Sequence, residues 1–155
     1  MEEKEIRSHI QKLLDSQLLA ALSTQKNGQP YVNLIAFTSA DDLGTILFAT
    51  TKPTRKYGNL SADNRVSLLV DCRSNQEADF HKASAVTIIG SAQETSGDEI
   101  LKYRPLFIDR HPYLENFVTS PTTALFKITV KHYIMVSHFQ KVMELHLTDE
   151  TNIFA

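Results

Sequence analysis

The chain has 155 residues, 42% hydrophobic and 22% charged, with a formal net charge of −2, a balance that suits one folded domain spanning residues 1 to 155 and lies far from the signature of disorder. A chain of this size buries about 69% of the surface it exposes when unfolded, so it folds without staples, and its near-neutral charge argues against a nucleic-acid binder with a strongly basic face. Cys72 is the single cysteine, which excludes an intrachain disulfide and any multi-cysteine zinc or iron–sulfur centre and makes a reducing cytoplasm the expected location.

The opening MEEKEIRSHIQ lacks the apolar run of a signal peptide, and no stretch approaches 18 apolar residues, so neither secretion nor a membrane span is expected. Residues 3 to 16 place Ile6, Ile10, Leu13 and Leu14 at helical spacing, with Glu2, Glu3 and Glu5 at the favourable end of the dipole, which predicts a short amphipathic helix. Residues 18 to 25 and 31 to 40 flank Asn27-Gly28, the pattern of a hairpin. A turn at Asp41-Asp42-Leu43-Gly44 leads to strands at 45 to 51, 65 to 71 and 84 to 93. The last long strand covers 123 to 139, where Phe126, Ile128, Val130, Ile134 and Val136 share a parity and are expected to line the core, with His132 and His138 on the same face. Helices are expected over Thr54 to Asp63 and from 98 to about 110. The second carries a capping-box spacing at Ser96 to Glu99 and a kink or restart at Pro105. At least six mostly antiparallel strands with flanking helices predict a mainly β fold, a small split or closed barrel.

The five glycines cannot make GxGxxG or GxxxxGK[ST], so Rossmann and P-loop nucleotide sites are excluded. The six histidines show no HExxH and no short paired spacing, so no metal site is expected. The informative stretch is residues 47 to 71. There an apolar strand ends in Thr50 and Thr51, and Lys52-Pro53-Thr54-Arg55-Lys56 opens a helix. Such a junction suits a phosphate monoester: helix N–H groups and the positive dipole end face outward, hydroxyls donate, and Arg55 can grip two oxygens. The same residues also suit plain strand threonines beside a solvated basic helix end, and the residues alone leave both readings open.

The order strand, Thr50-Thr51, Pro53-Thr54-Arg55-Lys56, Asn59-Leu60, then Asp63-Asn64-Arg65-Val66-Ser67-Leu68-Leu69-Val70 resembles the FMN-binding split-barrel family typified by pyridoxamine 5'-phosphate oxidase. The likeness covers almost the whole chain. Its RHPYLENFV (110 to 118) and HYIMVSHFQKVMEL (132 to 145) segments are most similar to the haem-utilisation branch. The resemblance implies that the strand from Val32 to Phe37 lies against the flavin, largely through backbone, at Asn33, Leu34 and Ile35. Ala49, Thr50 and Thr51 would then meet the phosphate and ribityl chain, and Arg55 and Lys56 would neutralise the phosphate. It also implies a homodimer with FMN between the subunits and a small-molecule redox substrate, with no nucleic-acid or membrane partner. No side chain stands out as an acid or base. His81, Lys82, Tyr103 and His111 match the family's pocket rim, where each reads first as a surface or packing residue. Val32 and Phe37 stand where the oxidase has basic residues, and Ala85 where it has a flavin-contacting glutamine, so pyridoxamine phosphate is not the expected substrate. The alternative that the haem-utilisation likeness implies is haem binding with or without flavin, His111 and His138 being the first ligands to test. A cofactor-free dimeric scaffold is the third reading.

Overall fold

The computed structural model describes residues 2–138, 140–150 and 152–154. In chain order the elements are α1 (Glu3–Ser16), β1 (Leu19–Lys26), β2 (Gln29–Ala40), β3 (Thr45–Thr51), α2 (Arg55–Ala62), β4 (Arg65–Asp71), α3 (Asp79–Lys82), β5 (Ala85–Glu94), α4 (Asp98–Arg110), a 3-10 turn (Pro112–Leu114), α5 (Glu115–Thr119), β6 (Thr123–Ser137) and β7 (Lys141–His146). Phe139, the expected last residue of the long strand, lies outside the described residues.

The strands form one antiparallel sheet in the order β3-β2-β1-β4-β5-β6-β7, and an additional β3–β6 pairing closes the first six into a barrel. β6 makes this possible through its length. Its first half, Thr123 to Thr129, pairs with β3, and His132 to Ser137 pair with β7 on the same edge. The two partners meet where Gly44 O accepts from Val130 N at 3.0 Å and Lys131 O accepts from Leu147 N at 2.8 Å. As the sequence predicts, Asn27 and Gly28 turn the β1–β2 hairpin with φ of 54° and 78°, the positive pair that a two-residue hairpin loop requires.

Inward residues of all seven strands, joined by Ile10, Leu13 and Leu14 of α1 and Leu60 of α2, make the main core. Each large side chain buried there stabilises the fold by roughly 1.5–3 kcal/mol. Phe48 and Phe126 stack at 5.2 Å between centroids, and the Tyr133 hydroxyl donates to Leu43 O at 2.6 Å. A second, smaller cluster covers the outer face of β3, where Leu47 and Leu125 pack against Tyr103, Phe107 and Val118. The β2–β3 turn is anchored to α4. Asp41 accepts from the Tyr103 hydroxyl at 2.5 Å and the Thr45 hydroxyl at 2.9 Å, and it pairs with Lys102 at 3.1 Å. Chiefly the Tyr103 hydrogen bond holds its carboxyl below the usual range.

Three expectations are corrected. Ile134 and Val136 do not line the core: Ile89 pairs with His132 but Gly90 with Val130, so Lys131 is an extra residue on β6 and the side-chain parity reverses there. Beyond this bulge Tyr133 and Met135 face inward, and Ile134, Val136 and His132 face outward. Pro105 does not restart α4, which runs unbroken from Asp98 to Arg110. Pro105 and Leu101 are both exposed, so the carbonyl left without its helical donor faces solvent. The capping box does not form either, because Gly97 at φ 57° takes the N-cap place with no side-chain cap, and Glu99 pairs instead with Lys127 of β6.

Candidate functional site

The predicted strand–helix junction is present, and its geometry follows from two local features. β2 pairs with β1 from Gln29 to Ala36 but with β3 only from Phe37 to Ala40. The other edge of residues 29–36 therefore pairs with no strand among the described residues, and this split lies beside the end of β3. There Thr54 caps α2. Its Oγ1 accepts from Tyr57 N at 3.1 Å and donates to Thr51 O at 2.9 Å, while its carbonyl takes Gly58 N at 3.1 Å. The N–H groups of Arg55 and Lys56 are left as the open donors of the first turn.

Around this opening the charges are unbalanced. Arg55 is exposed and Lys56 half-buried, and among the described residues neither makes an ion pair or a side-chain hydrogen bond. Burial pushes the Lys56 ammonium below its usual range. An unpaired, partly desolvated ammonium beside free helix N–H groups is a setting that an anion improves. On the strand side, Asn33 Oδ1 is buried with no hydrogen-bond partner, an acceptor waiting for a ring N–H or a hydroxyl. The residues at the α2 opening thus fit a phosphate ester.

The other predicted positions divide by side-chain direction. Ile35 points into the core, so only its backbone reaches the split, whereas Leu34 lies on the outer face. Ala49 packs in the outer cluster. Thr50 is buried, with its hydroxyl 3.3 Å from both Thr51 O and Thr54 Oγ1, which commits it to holding the junction together. Thr51 is half-buried. Val32 is exposed and Phe37 is buried in the core. Sequence reasoning missed the orphaned Asn33 oxygen and the two bonds that fix α2: Asn59 Nδ2 to Thr24 Oγ1 at 3.0 Å and Tyr57 Oη to Glu94 at 2.8 Å. The Asn59-Leu60 pair was the one signal for the first.

Of the histidines singled out, His111 is buried with Nε2 donating to Phe37 O at 2.7 Å, so that nitrogen fastens the end of α4 to β2. His138 is exposed in the β6–β7 turn with φ of 47°. His81 and Lys82 lie on exposed α3, and Tyr103 is taken up by Asp41. Among the described residues no three His, Cys, Asp or Glu side chains are grouped to hold a metal, and no helix is long and apolar enough to cross a membrane.

The outer face of the sheet is unusual. One rung reads Leu34, Ala21, Leu69, Thr87 and Ile134 across five strands. Leu34 is 64% exposed, Leu69 40% and, on the neighbouring rung, Val142 57%. Exposed apolar side chains grouped on one sheet face are of the kind that interaction surfaces use. This face runs on to an apolar cleft of about 440 Å³ lined by Leu18, Leu19, Ala36, His111, Tyr113 and Leu114 among others.

A six-stranded antiparallel barrel split beside the end of β3, with flanking helices, defines the split-barrel class. The sequence profile of the pyridoxamine 5'-phosphate oxidase family matches residues 6–137, and the chain belongs to that family. A pyridoxine/pyridoxamine 5'-phosphate oxidase from Shewanella sp. (strain MR-7) is 32% identical over 92 residues, which is 59% of this chain and 40% of the enzyme. The chain thus matches well under half the length of that curated relative. The fold is shared with a haem-binding protein from Mycobacterium smegmatis, at a TM-score of 0.81 with 16% identity over 90% of this chain and 57% of that one. It is shared too with a FAD-binding protein from Mesorhizobium loti, at 0.65 with 18% identity over 83% and 90%.

Proposed function

We propose that the chain binds FMN between two copies of itself and acts as a flavin-dependent oxidoreductase on a small-molecule substrate. The observation that carries this reading is the β3–α2 junction, where two open helix N–H groups, an exposed Arg55 and a half-buried Lys56, neither paired among the described residues, follow the end of β3, while on the free-edged stretch of β2 the Asn33 oxygen is buried without a partner. When bound, FMN supplies hydride or electron transfer at its ring. This chain binds and orients it: Arg55 and Lys56 hold the phosphate through charge-assisted bonds, the first turn of α2 adds N–H donors, and Asn33 accepts from the ring. The backbone of Asn33, Leu34 and Ile35 lies along the flavin, while Ala49, Thr50 and Thr51 form the floor beside the phosphate and ribityl chain. Pyridoxamine phosphate is not the substrate in this reading, since an exposed Val32 and a core Phe37 offer no charge to its phosphate. The outer apolar plane is the homodimer face, and the unpaired Cys72 fits a cytoplasmic location.

Protein purified without added cofactor should be yellow, and apoprotein should quench FMN fluorescence on titration. Charge-assisted bonds are worth about 1.5–3 kcal/mol, so Arg55→Ala and Lys56→Ala should each weaken FMN roughly 10- to 150-fold with unchanged circular dichroism. Unaltered affinity in the double variant would defeat the assignment. The second reading, haem, draws on the mycobacterial haem-binding relative of this fold. A red protein whose Soret band is lost in His138→Ala would favour it.

A further inference from the structure

At the outer edge of the sheet, away from the β3–α2 junction, His132 of β6 and His146 of β7 face each other as a cross-strand pair. Their Nδ1 atoms are 2.7 Å apart and the rings meet edge to face. His132 is 1% exposed. A bond between two imidazole Nδ1 atoms needs one proton and one lone pair. With a proton on each Nδ1, two N–H groups would point at one another at that distance and the rings would have to part.

The position of the pair gives this chemistry mechanical reach. It forms the first rung of the β6–β7 ladder, directly after the Lys131 bulge and where the β3 pairing of β6 has ended. Among the described residues β7 pairs with no strand but β6, so this six-rung ladder holds it to the sheet, alongside the inward side chains Met143 and Leu145, its contacts with α1 and the Leu147 N to Lys131 O bond. The charged groups around the rings are Lys131 on β6, Glu144 on β7 at 3.6 Å from His146 Nε2, Glu150 beyond β7, and Arg65 of β4 across a pocket of about 250 Å³ that Ile153 and Phe154 help to line. The cations oppose a further proton and the carboxylates favour it. Burial first, then His146 and Lys131, hold His132 below the ordinary histidine range.

The geometry points to an acid-sensitive latch: the His132–His146 pair ties β7 to the barrel, and uptake of a further proton by the pair opens the β6–β7 seam while the six-stranded barrel stays closed. Because His132 binds its proton less readily folded than unfolded, the latch contributes fully above the unfolded value of about pH 6.5 and loses that contribution as the pH falls below it. This device stands independently of which cofactor the junction holds.

Amide exchange of the full chain, corrected to protection factors at about pH 7.5 and about pH 5, tests it. Amides of β7 should lose about tenfold or more protection relative to those of β4. In His146→Gln, which keeps a hydrogen-bonding side chain but does not titrate, that relative loss should vanish. Parallel change of β7 and β4 in the wild type overturns the latch, as does an unaltered pH response in His146→Gln. Should that variant misfold, imidazole nitrogen shifts of the wild type decide: the two rings titrate together with the loss of β7 protection if the latch exists, and independently of it if it does not.

Discussion

Gly90→Ala tests the physical account of the bulge. A Cβ built on Gly90 would lie 2.3 Å from Thr129 O, 2.9 Å from Ile128 Cγ2 and 3.1 Å from Thr129 C, against a floor of 3.0 Å for real contacts. The Thr129 carbonyl must therefore retreat by at least about 0.7 Å, the difference between 3.0 and 2.3 Å. It cannot do so locally. Gly90 is paired with Val66 on one side and Val130 on the other, and the obstruction is backbone, so β5 and β6 must move apart as units. Overpacking of this kind costs about 1–3 kcal/mol, and a backbone obstacle places it toward the upper end. At roughly 2–4 °C per kcal/mol for a chain of this size, the melting temperature should fall by roughly 4–12 °C. Gly58→Ala is the matched control. It sits inside α2 with nothing within 4 Å of a built Cβ, so it should stabilise by about 0.5–1 kcal/mol through helix propensity. Paired thermal melts by calorimetry read both. If Gly90→Ala melts within about 1 °C of the wild type, the close approach is not what the bulge requires and the reasoning fails.

Tyr133→Phe should destabilise by about 1–3 kcal/mol in urea unfolding, because it strips the buried Leu43 carbonyl of its donor; an unchanged midpoint would mean that carbonyl needs no partner. Leu69→Asp places a charge in the middle of the exposed apolar rung and should halve the sedimenting mass without changing the melt of the barrel, whereas a wild-type mass would remove this face from the dimer proposal.

Much of the fold was legible because period and punctuation agreed. The apolar runs at 45 to 51 and 65 to 71, the Asn27-Gly28 turn and the helix opening at Thr54 each encode their element locally, and their predicted bounds lie within a residue or two of those observed. The reversal of parity on β6 was not legible. A bulge is set by how two strands register, and its one local trace is Gly90, whose missing side chain matters only once Thr129 is beside it. β7 went unassigned because only Met143 and Leu145 face inward, too few for a periodic signal. At the site, Arg55 and Lys56 could be found from the helix opening. The orphaned oxygen of Asn33 and the commitment of the His111 ring to Phe37 depend on neighbours far along the chain, which no spacing rule reports.

Closure of the barrel joins Thr45 to Thr129 and Thr51 to Thr123. β6 is therefore the keystone for strands made long before it: until it is synthesised, β3 and β5 each present a bare edge to the surroundings. Such distant pairing slows folding and lengthens the interval in which two nascent chains can pair edge to edge. Dilution, or a chaperone that shields those edges until residue 137 has left the ribosome, should raise the yield of this protein more than any further strengthening of its core.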